Sequence, residues 1–128
     1  MRFTHLHHLA IICSDYQTSK TFYIEILGGQ IINETYRAER NSYKLDLKIA
    51  DVQIELFSFP KPPKRITNPE AQGLRHIAFA VTSMADAVRE LESKGITTES
   101  IRIDPITNKK FTFFKDPDDL PIELYEDS

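Results

Sequence analysis

The chain carries the same pattern twice. His8-Leu9-Ala10-Ile11-Ile12-Cys13-Ser14 and His76-Ile77-Ala78-Phe79-Ala80-Val81-Thr82 both read His, apolar, Ala, apolar, then a small or apolar pair, and the two histidines stand 68 residues apart. Ile54-Glu55-Leu56-Phe57 and Ile122-Glu123-Leu124-Tyr125 repeat at the same spacing of 68. Two independent matches at one offset within 128 residues mark a duplicated unit of about 60 residues. Whatever one half folds into, the other half must fold into as well.

Residues 6–14 alternate as a strand does. Asp15 or Ser14 then caps a helix that runs through Ile26, with Phe22, Tyr23 and Ile26 on its apolar side and Gly28-Gly29 as the stop. Strands follow near 30–37, 43–49 and 52–59. In the second copy, 75–81 is the strand and Ser83 with Asp86 makes a start resembling a capping box. Met84, Val88 and Leu91 form the buried stripe of that helix and Gly95 its stop. Strands near 99–103, 110–115 and 121–126 complete the copy, with Asp116-Pro117-Asp118-Asp119 as a turn. Each copy is therefore β-α-β-β-β, and the fold class is α+β. The chain reads as one domain, 1–128, with modules at about 4–59 and 74–127. The segment 60–73 between them holds Pro60, Pro62, Pro63 and Pro69 and is a stiff linker.

Composition excludes several roles. The net charge of −3 lacks the basic stripe of a nucleic-acid-binding module. No apolar run approaches the length of a membrane-spanning helix, and the N-terminus lacks a signal-peptide pattern. A single cysteine, Cys13, fits a reducing compartment, so a cytoplasmic protein with no nucleic-acid or membrane partner is expected.

Side chains alternate across a strand, which groups the chemistry. His8 shares a face with Leu6, Ala10 and Ile12, and His76 with Leu74, Ala78 and Ala80. Glu55 shares its face with Gln53, Phe57 and Phe59, and Glu123 with Pro121 and Tyr125. With a helix over the Leu9/Ile11 and Ile77/Phe79 side, the His and Glu residues lie on the uncovered face. Two imidazoles and two carboxylates among apolar neighbours are costly to bury without a cation. As two nitrogen and two oxygen donors they suit a divalent first-row ion, and an octahedral ion would keep positions open for water or substrate. Ile12, Phe57, Phe59 and Tyr125 form the expected apolar pocket wall. His7 falls on the face opposite His8 and is not expected to ligate. Cys13 faces the helix as a buried apolar residue.

The chain resembles the vicinal oxygen chelate superfamily, which includes glyoxalase I, fosfomycin-resistance proteins, methylmalonyl-CoA epimerase, extradiol dioxygenases and bleomycin-resistance proteins. The resemblance spans almost the whole chain. It rests on His8-Leu-Ala-Ile-Ile-Cys-Ser-Asp15, on Phe22-Tyr23 with Leu27-Gly28, on Gly73-Leu-Arg-His76-Ile-Ala-Phe, and on Asp116-Pro-Asp118-Asp-Leu-Pro-Ile-Glu123-Leu. It implies paired βαβββ modules forming a cupped mixed sheet, often as a homodimer. By ligand set the chain is most similar to glyoxalase I, whose metal takes His, Glu, His and Glu at the positions of His8, Glu55, His76 and Glu123. Methylmalonyl-CoA epimerase typically has Gln in place of Glu55.

What the resemblance implies is a metal-dependent isomerase or lyase of the lactoylglutathione lyase kind. It would act on a small oxo compound or its thiol adduct, moving a proton next to a carbonyl through a metal-stabilised enediolate. Glu123 is the preferred base and Glu55 the symmetry-related candidate. Ni2+ or Co2+ is the implied ion, with Zn2+, Mn2+ and Fe2+ compatible with the donors. The alternatives are an epimerase of the methylmalonyl-CoA epimerase type and a non-catalytic small-molecule-binding protein. The ligands can come from one chain or from two, and a homodimer that shares them across its interface is the expectation. One departure concerns glutathione: where bacterial glyoxalase I often has Arg four residues after the first ligand His, this chain has Ile12, and Phe59 replaces an Asn. Arg37, Arg40, Arg75 and Lys110 are the other cations in view, each expected to be a solvated surface charge.

Overall fold

In each copy one short polar side chain converts the end of a strand into the start of a helix. Asp15 Oδ1 accepts the Thr18 N–H at 2.9 Å, and Ser83 Oγ accepts the Asp86 N–H at 3.2 Å, filling donors that a first helical turn leaves unpaired. These are features of a computed structural model in which residues 1–127 are described.

The first copy runs β1 (His8–Cys13), α1 (Tyr16–Thr21), β2 (Gln30–Arg37), β3 (Ser42–Ile49) and β4 (Val52–Ser58). The second runs β5 (Ile77–Val81), α2 (Met84–Ser93), β6 (Arg102–Ile103), β7 (Lys110–Lys115) and β8 (Pro121–Glu126). The helix expected through Ile26 does reach it, but α1 widens over Phe22–Ile26 into a π-helical turn. Two consecutive aromatics, Phe22 and Tyr23, are buried there, their rings edge to face at 5.2 Å. The apolar spacing could not separate an α-turn from a π-turn, because both gather those side chains on one side.

The strands form two four-stranded mixed sheets of identical order, β1-β4-β3-β2 and β5-β8-β7-β6. In each, the first strand lies parallel to the last, and the remaining pairings are antiparallel. The parallel pairings share one register, His8 opposite Gln53 and Ile77 opposite Ile122, an offset of 45 residues in both. The repeat is therefore reproduced residue by residue in the hydrogen-bond ladders. Two compact units result, Met1–Lys64 and a second that begins at Arg65; the division falls inside the proline-rich segment.

Within each unit the core lies between the helix and one face of the sheet. Cys13, Leu45, Leu47, Ile54 and Leu56 fill it in the first unit, with Phe22 and Tyr23 from the helix. Ile77, Met84, Leu91, Phe114, Ile122 and Leu124 do so in the second. The helix-facing parity of Leu9, Ile11 and Cys13 holds, with His8, Ala10 and Ile12 exposed on the other side.

Strand ends differ from the alternation pattern in three places. β1 begins at His8 and β5 at Ile77, so Leu6, His7 and His76 precede the ladders. The strand expected over 99–103 pairs only at Arg102–Ile103. Upstream of it, Glu99 makes one backbone bond to the Phe113 carbonyl at 2.8 Å. Among the described residues no helix is long and apolar enough to cross a membrane.

Candidate functional site

The helix-facing parity of the central strands decides what the open face carries. Ile54 and Leu56 are wholly buried toward α1, so Glu55 and Phe57 between and beyond them project to the opposite side. On β8, Ile122 and Leu124 turn inward and leave Glu123 and Tyr125 outward.

Each glutamate then meets the histidine of its own unit. The parallel register sets His8 opposite Gln53, so Glu55 is the diagonal neighbour two residues on. His8 Nδ1 lies 3.5 Å from Glu55 Oε2. His76 immediately precedes β5, and its Nε2 lies 3.2 Å from Glu123 Oε1. Metal–nitrogen and metal–oxygen bonds of about 2.0–2.2 Å put two ligands at right angles roughly 3 Å apart. Both pairs are close to that separation, and imidazole with carboxylate is a donor set such an ion takes. The residues of each pair thus fit a divalent ion. Among the described residues no group of three or more His, Cys, Asp or Glu converges.

The surroundings of the pairs differ. Asp46 on β3 stands opposite Glu55, and Lys44 opposite Phe57. Lys44 Nζ reaches Asp46 Oδ1 at 2.9 Å and Glu55 Oε1 at 3.6 Å, while Gln53 Nε2 donates to Glu55 Oε2 at 3.3 Å. The Asp46 carboxylate, followed by Glu55, holds the Lys44 ammonium above its ordinary value. In the second unit, Phe113 stands opposite Glu123 and Phe111 opposite Tyr125. The His76 ring meets Phe113 edge to face at 5.1 Å. One glutamate is set in a charged network, the other among aromatic rings. Lys44 and Asp46 were not singled out from the sequence, although counting residues outward from the Ala50-Asp51 turn brings both to Glu55 and Phe57.

The expected wall residues divide between the units. Ile12 is exposed and stands opposite Phe57. Phe57 and Phe59 are stacked, their centres 6.0 Å apart. Tyr125 belongs to the second unit and has a polar tether: its hydroxyl donates to Asp104 Oδ2 at 3.0 Å and shares a hydrogen bond with Thr107 Oγ1. Cys13 is buried, its thiol donating to the Phe57 carbonyl at 3.3 Å. His7 is a correction to the parity argument, because its Nδ1 sits 2.9 Å from His8 Nδ1. Alternation does not extend to residues upstream of the ladder.

Three of the four remaining cations are solvated as expected: Arg40, Arg75 (beside Glu70) and Lys110 are exposed. Arg37 is not. It is half-buried at the end of β2, its guanidinium carbon 4.9 Å from the centre of the Phe57 ring and 5.7 Å from that of Phe59. Stacking on aromatic faces gives that position a cation–π component. Composition does not reveal which arginine will have a ring beneath it.

These features define a class: duplicated βαβββ units whose open sheet faces carry a His/Glu pair each. The model of the Glyoxalase/Bleomycin resistance protein/Dioxygenase superfamily matches residues 5–124, and the chain belongs to that superfamily, with its α+β vicinal oxygen chelate fold. The chain is 65% identical over 122 residues to the uncharacterized protein YwkD of Bacillus subtilis, covering 94% of this chain and 95% of that one. The uncharacterized protein YaeR of Escherichia coli is 55% identical over 122 residues with the same coverage. A crystal structure of a glyoxalase family protein from Enterococcus faecalis superposes with a TM-score of 0.92 at 47% identity, over 98% of this chain and 100% of that one.

Proposed function

We propose that the protein is a metal-dependent isomerase or lyase of the glyoxalase I type, with His8, Glu55, His76 and Glu123 as ligands of one divalent ion, whether the two pairs come from one chain or from two copies. The observation that carries this reading is the repetition of a His/Glu pair, 3.5 Å and 3.2 Å across, beside the equivalent parallel pairing of both sheets. A structural role would not require the same chemistry twice on faces without a helix.

A divalent ion held there, Ni2+ or Co2+ first among the compatible metals, supplies positive charge against an oxyanion that develops beside a carbonyl. The chain itself supplies the proton movement. Glu123 is the base that accepts a proton from the carbon next to the carbonyl and returns it to the neighbouring carbon. Among the described residues its polar partner is His76 alone. Glu55 already shares its charge with Lys44, Gln53 and His8, and is the ligand that stays in place. Phe57, Phe59 and Ile12 give the substrate an apolar surface that lowers exposure to water.

The test is turnover in deuterated water of methylglyoxal adducts of glutathione and of other low-molecular-weight thiols, with Ni2+ supplied. The expected result is isomerisation of at least one adduct, with Glu123→Gln lowering kcat by about 100-fold or more. Stoichiometric metal binding with no turnover or carbon–deuterium exchange for any adduct contradicts the isomerase reading and leaves a binding protein.

A further inference from the structure

We infer that Arg37 is the docking point for an anionic end of the substrate, a carboxylate or a phosphate, on the open face of the first sheet. The substrate role rests on the function proposed above; the anion site itself stands on separate observations.

Arg37 carries a charge that the protein does not use. Its Nη2 donates to the buried Ser42 hydroxyl at 2.8 Å, and its Nε is enclosed without a hydrogen-bond partner. A guanidinium has five N–H donors and no acceptor. Nη1 and the second proton of Nη2 have no acceptor among the described residues, and no carboxylate of those residues comes within ion-pair distance of Arg37. The Ser42 bond and the stacked Phe57 and Phe59 rings hold the group in place, so a ligand would meet a cation already oriented.

The second unit contains its own control. Arg102, on the corresponding edge strand, lies over Phe111 at 4.9 Å and Phe113 at 5.9 Å, nearly the same stacking. Arg102 is neutralised by Glu99 at 2.9 Å and is mostly exposed. Lys44 is also spent, on Asp46 and Glu55. Among the described residues Arg37 is therefore the half-buried cation of this face that meets no carboxylate, whereas Lys48 on the same face of β3 is exposed to solvent. Phe57 lies two residues beyond Glu55 on the same face of β4, about 7 Å along the strand. A substrate with its carbonyl end at the ion that Glu55 would help to hold and its anionic end at Arg37 is thus a short acid or phosphate ester. A planar guanidinium fits either oxyanion with two parallel hydrogen bonds.

Glutarate and inorganic phosphate are the probes, titrated calorimetrically into the full chain after dialysis against chelator and again after loading with Ni2+. Salt-sensitive binding to the metal-free protein is expected, weakened at least tenfold by Arg37→Met, partly retained by Arg37→Lys and unchanged in Arg102→Met. In the unaltered protein the Nε–Hε resonance of Arg37 should move on addition of probe while that of Arg102 stays, a readout that does not depend on any variant folding. The tighter of the two probes assigns the carboxylate or the phosphate source. Neither probe binding at millimolar concentration, or equal binding to Arg37→Met and the parent, overturns the assignment. Anion binding through Arg37 with no metal retained would sink the proposed function alone; metal retention with no role for Arg37 would sink this inference alone.

Discussion

Gly29 closes the first helix against β3, where a Cβ would lie 2.8 Å from the Tyr23 carbonyl oxygen and 2.9 Å from Leu47 Cδ1. Neither neighbour yields without moving the helix end, so Gly29→Ala should cost about 1–3 kcal/mol, read as a lower urea midpoint with an unchanged slope. Glu34 makes a second prediction. Hydrogen bonds from Lys20, then from Tyr16, hold its carboxyl below the ordinary glutamate value. A lowered folded value means the contribution is present above the unfolded value of 4.5 and disappears as pH falls through the folded one. Urea unfolding from pH 6 down to pH 3 should show a shallower loss of stability in Glu34→Gln than in the parent. At this scale the sequence named the His/Glu pairs, because both residues recur at one spacing and the glutamates alternate inside a ladder. It set Arg37 among the solvated charges, because half-burial there comes from Phe57 and Phe59, whose rings lie across the sheet.

The elements themselves were legible from alternation, caps and glycine stops, and the failures follow from pairing. The strand expected from residue 99 needs a partner, and only Arg102–Ile103 find β7. The π-turn at Phe22–Ile26 depends on closing a backbone ring, which apolar spacing does not encode. Stability should be just as uneven across the first sheet. Leu56 on β4 is wholly buried, whereas Ile32 on the edge strand β2 is 55% exposed. Leu56→Ala should therefore cost about 2–5 kcal/mol and Ile32→Ala no more than about 0.5 kcal/mol, compared by chemical denaturation.

For the whole molecule the duplication matters through what it does not copy. Both units keep strand order, register and the His/Glu pair, yet Lys44 and Asp46 beside Glu55 are replaced by Phe111 and Phe113 beside Glu123. On the proposed function, the two pairs would hold one ion, and their unequal surroundings would separate a ligand that stays from a base that moves. Such divergence between copies is invisible to a repeat search, which scores only what both halves retain. The central claim is that the pairs act together on one ion. Equilibrium dialysis of the metal-free chain against Ni2+ tests it most directly, with Glu55→Gln and His76→Gln measured alongside. The account predicts close to one ion per chain and at least tenfold weaker binding in each variant. No stoichiometric retention of Ni2+, Co2+, Mn2+ or Zn2+, or retention unchanged by either substitution, would contradict it.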